Sequence, residues 1–109
     1  MALTRYHNII GSTQATVSLI GIGSRVDTIN SIMITNVHAS NEATVSLFLQ
    51  DSPVDSAPSS FYIIHEVAIP SSASLLLDDK DLLSFNNSAS GFGLQITVGS
   101  SDTVDVIIN

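Results

Sequence analysis

Three histidines (His7, His38 and His65) and two small groups of aspartates are the side chains of this chain best suited to chemistry. The histidines show no HxH or HxxxH spacing, so a metal site made from them has to be assembled by the fold rather than by one local element. Asp78, Asp79 and Asp81 crowd a single turn, and Asp51 and Asp55 lie in a Pro-rich loop. Carboxylates suit Ca²⁺ by type, but neither group has a calcium-loop spacing, and both read as solvated turns. Gly21-Ile22-Gly23 runs into Ser24-Arg25-Val26, which lacks the third glycine and the following helix of a dinucleotide fingerprint; Gly91-Phe92-Gly93 fails in the same way. No GxSxG elbow is present. Asn86-Asn87-Ser88 is a formal glycosylation sequon, which matters only in an exported chain. The expectation is a protein with no catalytic, cofactor-binding or metal-binding residues, and not an enzyme.

Composition narrows the field further. The 109 residues fit one domain, large enough to bury roughly 65% of the unfolded surface without staples. With no Cys there is neither a disulfide framework nor a thiolate site, so folding rests on burial and backbone pairing. Charged residues make up 12% of the chain, against about 25% in an ordinary soluble domain. Ser, Thr and Asn supply about a third of the sequence, so hydroxyl and amide groups are expected on the outer strand faces. Interface cores are depleted in charge, so such a surface suits a protein packed among partners; it equally suits a plain β-protein rich in Thr and Ser. Three basic residues (Arg5, Arg25, Lys80) against ten acidic ones give a net charge of −7, the wrong sign for following a phosphate backbone. The start of the chain shows no basic segment leading into an apolar one, and no stretch approaches the ~18 to 20 apolar residues of a membrane span. A soluble protein that is not exported and binds neither nucleic acid nor membrane is expected.

The elements that must carry these residues are strands. The stretch from Asp27 to Gln50 organises the chain: Ile32, Met33, Ile34 and Val37 form an apolar run, of the kind seen in a strand buried mostly on both faces, within a central segment 26–37, His38 to Glu42 make a turn, and Val45, Leu47 and Leu49 alternate with polar residues. Phe48 interrupts that alternation on the outer face. Ala15, Val17 and Leu19 alternate in the same manner within 14–20. Residues 51–60, with Pro53 and Pro58, read as the longest loop. In 61–69, Phe61, Ile63, His65 and Val67 are assigned to one face and Tyr62, Ile64, Glu66 and Ala68 to the other. Leu75 to Leu77 follow, then a charged turn leads into Leu82 to Phe85. Leu94, Ile96 and Val98 precede a last strand with Val104, Val106 and Ile108. No helical periodicity is evident. About eight strands at intervals of 8 to 14 residues predict an all-β protein, an antiparallel sandwich of jelly-roll-like or Ig-like type. Residues 1–11 form either a first strand or an arm, and 12–109 the sandwich. The pentapeptide Ala15-Thr16-Val17-Ser18-Leu19 recurs at Ala43 to Leu47, an echo that fits coincidence better than duplication. The core is expected to contain Val17, Leu19, Ile32, Ile34, Val45, Leu47, Leu49, Ile63, Leu94, Ile96, Val104 and Val106.

Four segments, SIMITNV with its polar turn, ATVSLFLQD, FYIIHEVAIPSSASLLL and LQITVGSSDTVDVIIN, resemble small β-sandwich virion proteins of tailed bacteriophages, especially those of marine and cyanobacterial-type phages. The resemblance covers about two-thirds of the chain and rests on strand and turn residues, including the Ile69-Pro70 step. It implies a multi-copy capsid decoration (cement) or neck or tail component, made in the host cytoplasm and built into the virion. Its partners would be other virion proteins, the major capsid or neck and tail proteins among them, and further copies of itself. An amino-terminal arm would then serve attachment, and its removal would spare the core. The alternative is a carbohydrate-binding sandwich, with Tyr6, Tyr62 and the Asp-rich loops as contacts and the lack of Trp against it.

Overall fold

The computed structural model describes residues 5–24, 28–51, 56–88 and 91–109, with Tyr6 defined in its backbone only. Eight strands build two four-stranded antiparallel sheets. The first holds β1 (Arg5–Ile10), β3 (Ile32–Asn36), β6 (Ser74–Leu77) and β8 (Thr103–Ile108) in the order β1-β8-β3-β6. The second holds β2 (Thr16–Ile20), β4 (Ala43–Gln50), β5 (Ser60–Ile69) and β7 (Gly93–Val98) in the order β2-β7-β4-β5. Strands β1 and β8, β2 and β7, β3 and β6, and β4 and β5 all pair antiparallel, which is the pattern of one long hairpin wrapped into a double sheet. Of the two sandwich types the sequence allowed, this is the jelly roll: every connection except β4–β5 crosses between sheets.

Alternation explains why these segments sit as they do. Inward positions of β3, β7 and β8 are buried and the intervening ones are only partly so, giving the period-2 burial of a strand with one face on a core; β3 is thus not buried on both faces as its apolar run suggests, and Val37 beyond it is 46% exposed. Nine of the twelve expected core residues are fully buried, and Val17, Leu49 and Ile63 pack against that cluster from partly buried positions. Ile9, Ile20, Ile29, Ala43, Ile69, Leu83, Val98 and Ile108 complete it. The repeated pentapeptide falls on either side of β7, where Val17 and Leu47 both flank Ile96, so its two copies are offset by two residues along that strand.

Several boundaries move. The central segment shortens to β3, since the N–H groups of Asn30 and Ser31 turn aside to the carbonyl of Asn109 at 2.7 and 3.0 Å, while residues 25–27 lie outside the described part. The run Leu82 to Phe85 forms no strand. Lys80–Leu83 makes one helical turn instead, because Asp79 caps it: the Asp79 Oδ1 accepts from the Asp81 N–H at 3.0 Å, and the turn drops Leu83 into the core. A cap and a single turn leave no periodicity for a sequence pattern to detect. Arg5–Ile10 is a strand of the sandwich rather than a free arm. It pairs with β8 over six positions and buries Ile9, and the Gly11 N–H donates to the Asp102 carbonyl at 2.8 Å. A Cβ at Gly11 would collide with the Gly99 carbonyl oxygen, so this crossing needs glycine. Removing residues 1–11 therefore takes a piece of the core with it.

One polar residue joins the sheets. Asn36, on β3 of the first sheet, is fully buried, and its Nδ2 donates to the carbonyls of Asn41 (2.8 Å) and Ile69 (3.0 Å), the latter on β5 of the second sheet. Its Oδ1 accepts the His38 N–H at 3.0 Å. A buried amide is tolerated because its hydrogen-bonding capacity is spent.

Candidate functional site

The residues first suspected of chemistry are dispersed. His7 shares the inward face of β1 with Ile9, and its Nε2 is buried with no partner among the described residues. Burial, and secondarily the Arg5 charge, hold its pKa below the usual 6.5. His38 sits in the β3–β4 turn with Nε2 3.0 Å from the Ser101 carbonyl. His65 lies on β5, an edge strand, exposed. Among the described residues no three His, Asp or Glu side chains gather into a metal-sized group. Asp79 is spent as the helix cap and Asp51 Oδ1 accepts the Ser59 N–H at 2.7 Å, while Asp55 lies outside the described residues. Within the sequon, Asn86 Oδ1 accepts the Ser88 N–H, and Asn87 Nδ2 donates to the carbonyls of Phe92 (2.7 Å) and Gly21 (3.0 Å). These amides tie the loop before β7 to the Gly21-Ile22-Gly23 turn, which gives both glycine motifs a structural job.

The outward faces of the two sheets differ in what they present. On the first sheet, direct pairing aligns Ile107, Met33 and Leu76 in one row across β8, β3 and β6, with Leu76 56% exposed. The next row is polar and closed upon itself. Asn8 Nδ2 donates to Asp105 Oδ1 at 2.6 Å, and Thr35 and Ser74 hydroxyls meet at 2.8 Å.

On the second sheet, Ser18, Gln95, Phe48 and Tyr62 form one outward row, and Thr16, Thr97 and Ser46 another. The strands of this sheet carry no ionisable side chain beyond Tyr62, His65 and Glu66. Two irregularities in the β4–β5 register re-aim β5. Val67 and Ile64 both pair with inward residues, Val45 and Leu47, so the two faces read from strict alternation are not kept along this strand. Glu66 stands at φ 52°, a left-handed conformation uncommon for a non-glycine residue, and its N–H donates to Ser46 Oγ at 2.8 Å. The consequence is an aromatic group on the outward side. The Tyr62 ring lies 5.3 Å from Phe48 and 4.5 Å from the His65 ring. Phe48 is an outward residue, yet it is buried, with Tyr62 directly across from it.

Beside Tyr62 lies a depression of about 260 Å³ bordered by Thr44, Ser46, His65, Glu66 and Thr97. A second, of about 270 Å³, lies at the other end of the same face near Ser18, Gln50 and Gln95, where Gln95 Nε2 donates to Gln50 Oε1 at 2.6 Å. Of these residues, sequence reasoning named only Tyr62 as a contact. The one local signal for the rest is His65-Glu66, two polar residues interrupting an apolar strand; the hydroxyls come from strands distant in sequence.

No helix among the described residues is long and apolar enough to cross a membrane. No family model, curated protein or solved structure matches the chain.

Proposed function

We propose that the chain is a non-enzymatic structural protein of a tailed-bacteriophage virion, a multi-copy decoration or neck or tail component that acts through contacts with other virion proteins and with its own copies. The observation that carries the reading is the outward row Ile107, Met33 and Leu76 on the first sheet. An antiparallel sheet facing water on one side puts polar residues outward. Here three large apolar side chains line up across three strands, next to polar groups that already satisfy one another and so cost little to desolvate. The edge strand β6 continues this surface with backbone groups open to pairing. The low charge of the chain and its resemblance to phage virion proteins favour the same reading. Mass spectrometry of purified particles from a phage that encodes the chain tests it: the protein is expected as a multi-copy component, and its absence from the particles would overturn the proposal.

A further inference from the structure

We propose that the outward face of the second sheet binds a neutral pyranose sugar, seated against the Tyr62 ring in the depression bordered by Thr44, Glu66 and Thr97. This goes beyond the assembly reading and uses the opposite face of the molecule.

The ring is presented rather than packed. Tyr62 is 53% exposed and lies against the Phe48 and His65 rings at 5.3 and 4.5 Å, so the aromatic is supported by neighbours while about half of its surface remains for a ligand. The axial C–H groups of a pyranose offer the apolar, weakly positive surface that such a ring face attracts. Around it the chemistry suits hydroxyl groups. The Tyr62 hydroxyl and Thr44 Oγ1 have no hydrogen-bond partner among the described residues, and the Glu66 carboxylate has only the exposed His65 ring at 4.0 Å. Sugar hydroxyls donate to a carboxylate and both donate to and accept from hydroxyls.

Backbone geometry supports a built site. Glu66 is held at φ 52° by its hydrogen bond to the nearly buried Ser46 Oγ, so the bulge sets its side chain at the rim in a conformation the surroundings must enforce. Size and charge narrow the ligand. About 260 Å³ is below the roughly 300 to 1,000 Å³ of sites for drug-sized ligands, which suits a single ring. Glu66 and a net charge of −7 disfavour uronic and sialic acids.

The test is titration of the ¹⁵N-labelled protein with the methyl pyranosides of glucose, galactose and mannose, and with glucuronate as the anionic control. At least one neutral pyranoside is expected to shift the amides of Thr44, Ser46, Glu66 and Thr97, and glucuronate to leave them in place. Tyr62→Ala should weaken binding about tenfold, the loss of one stacked ring. Tyr62→Phe keeps the ring and should stay within a few-fold, with thermal unfolding showing both variants folded. The proposal fails if no neutral pyranoside shifts these amides, if the shifts gather elsewhere, or if folded Tyr62→Phe loses as much as Tyr62→Ala. None of these failures bears on whether the chain belongs to a particle.

Discussion

The first sheet turns outward a row of Ile107, Met33 and Leu76 beside polar side chains that have already closed on each other, whereas the second turns outward hydroxyls and amides around a half-exposed Tyr62. Both sheets share one apolar interior, so the difference lies wholly in what alternates with it. Apolar residues on a solvated face stabilise little until another surface covers them, at about 25 cal/mol per Å² removed from water. On the second sheet Thr16 and Thr97 hydroxyls also meet, at 3.4 Å, and Gln95 bonds Gln50, but the Tyr62 hydroxyl and Thr44 Oγ1 have no partner among the described residues and gain when a hydrogen-bonding ligand arrives. The same architecture thus offers one face suited to protein contact and another suited to a small polar ligand, and the sequence of each strand decides which.

The comparison breaks most completely if the shared interior is damaged. Leu47→Ala, at a fully buried position of β4, is expected to lower stability by about 2 to 5 kcal/mol and to abolish both faces together, measured by chemical denaturation. Asn36→Ala is expected to cost about 3 kcal/mol, because it strips the Ile69 and Asn41 carbonyls and the His38 N–H of their buried partner. Since Asn36 bridges the sheets, Asn36→Asp should be no better: a carboxylate cannot donate to those carbonyls.

A smaller change separates the faces. Ser46→Ala leaves the Glu66 N–H without its acceptor and should cost about 1 to 2 kcal/mol, with amide shifts confined to the second sheet. Equal shifts on β3 and β8 would contradict the independence of the two surfaces. Acid should act on the first sheet in turn. The folded-state pKa of His7 lies below its unfolded value near 6.5, so the unfolded chain binds the proton more readily. Stability is therefore full above pH 6.5 and declines as pH falls below it, and His7→Leu should remove that part of the decline in thermal unfolding measured across pH.

These effects also mark what the sequence made legible. Period-2 runs such as Leu94, Ile96, Val98 and Val104, Val106, Ile108 announced their strands and inward faces because alternation is a local property. The bulged β5 did not: shifting its register against β4 changes which residues face inward, and Tyr62, Phe48 and Ser46 meet only through pairing across strands. Asn36 carried no signal in the sequence, since its buried role depends on carbonyls 5 and 33 residues away. The turn at Lys80–Leu83 was hidden because Leu-Leu-Ser-Phe suits a strand as well as a helix until the Asp79 cap is taken into account. The outward apolar row was also hidden, for Met33, Leu76 and Ile107 lie on three strands distant in sequence and line up only through pairing.

The smallest effect on stability is expected from Leu76→Glu, within about 0.5 kcal/mol because the side chain is exposed at an edge strand. That variant provides the most direct measurement of the central claim. Sedimentation velocity, with cosedimentation on particles lacking the protein, compares wild type, Leu76→Glu and Tyr62→Ala at matched folded fractions. Assembly through the first sheet predicts that wild type and Tyr62→Ala associate alike while Leu76→Glu stays monomeric and unbound; association unaffected by Leu76→Glu, or lost on Tyr62→Ala alone, would contradict it.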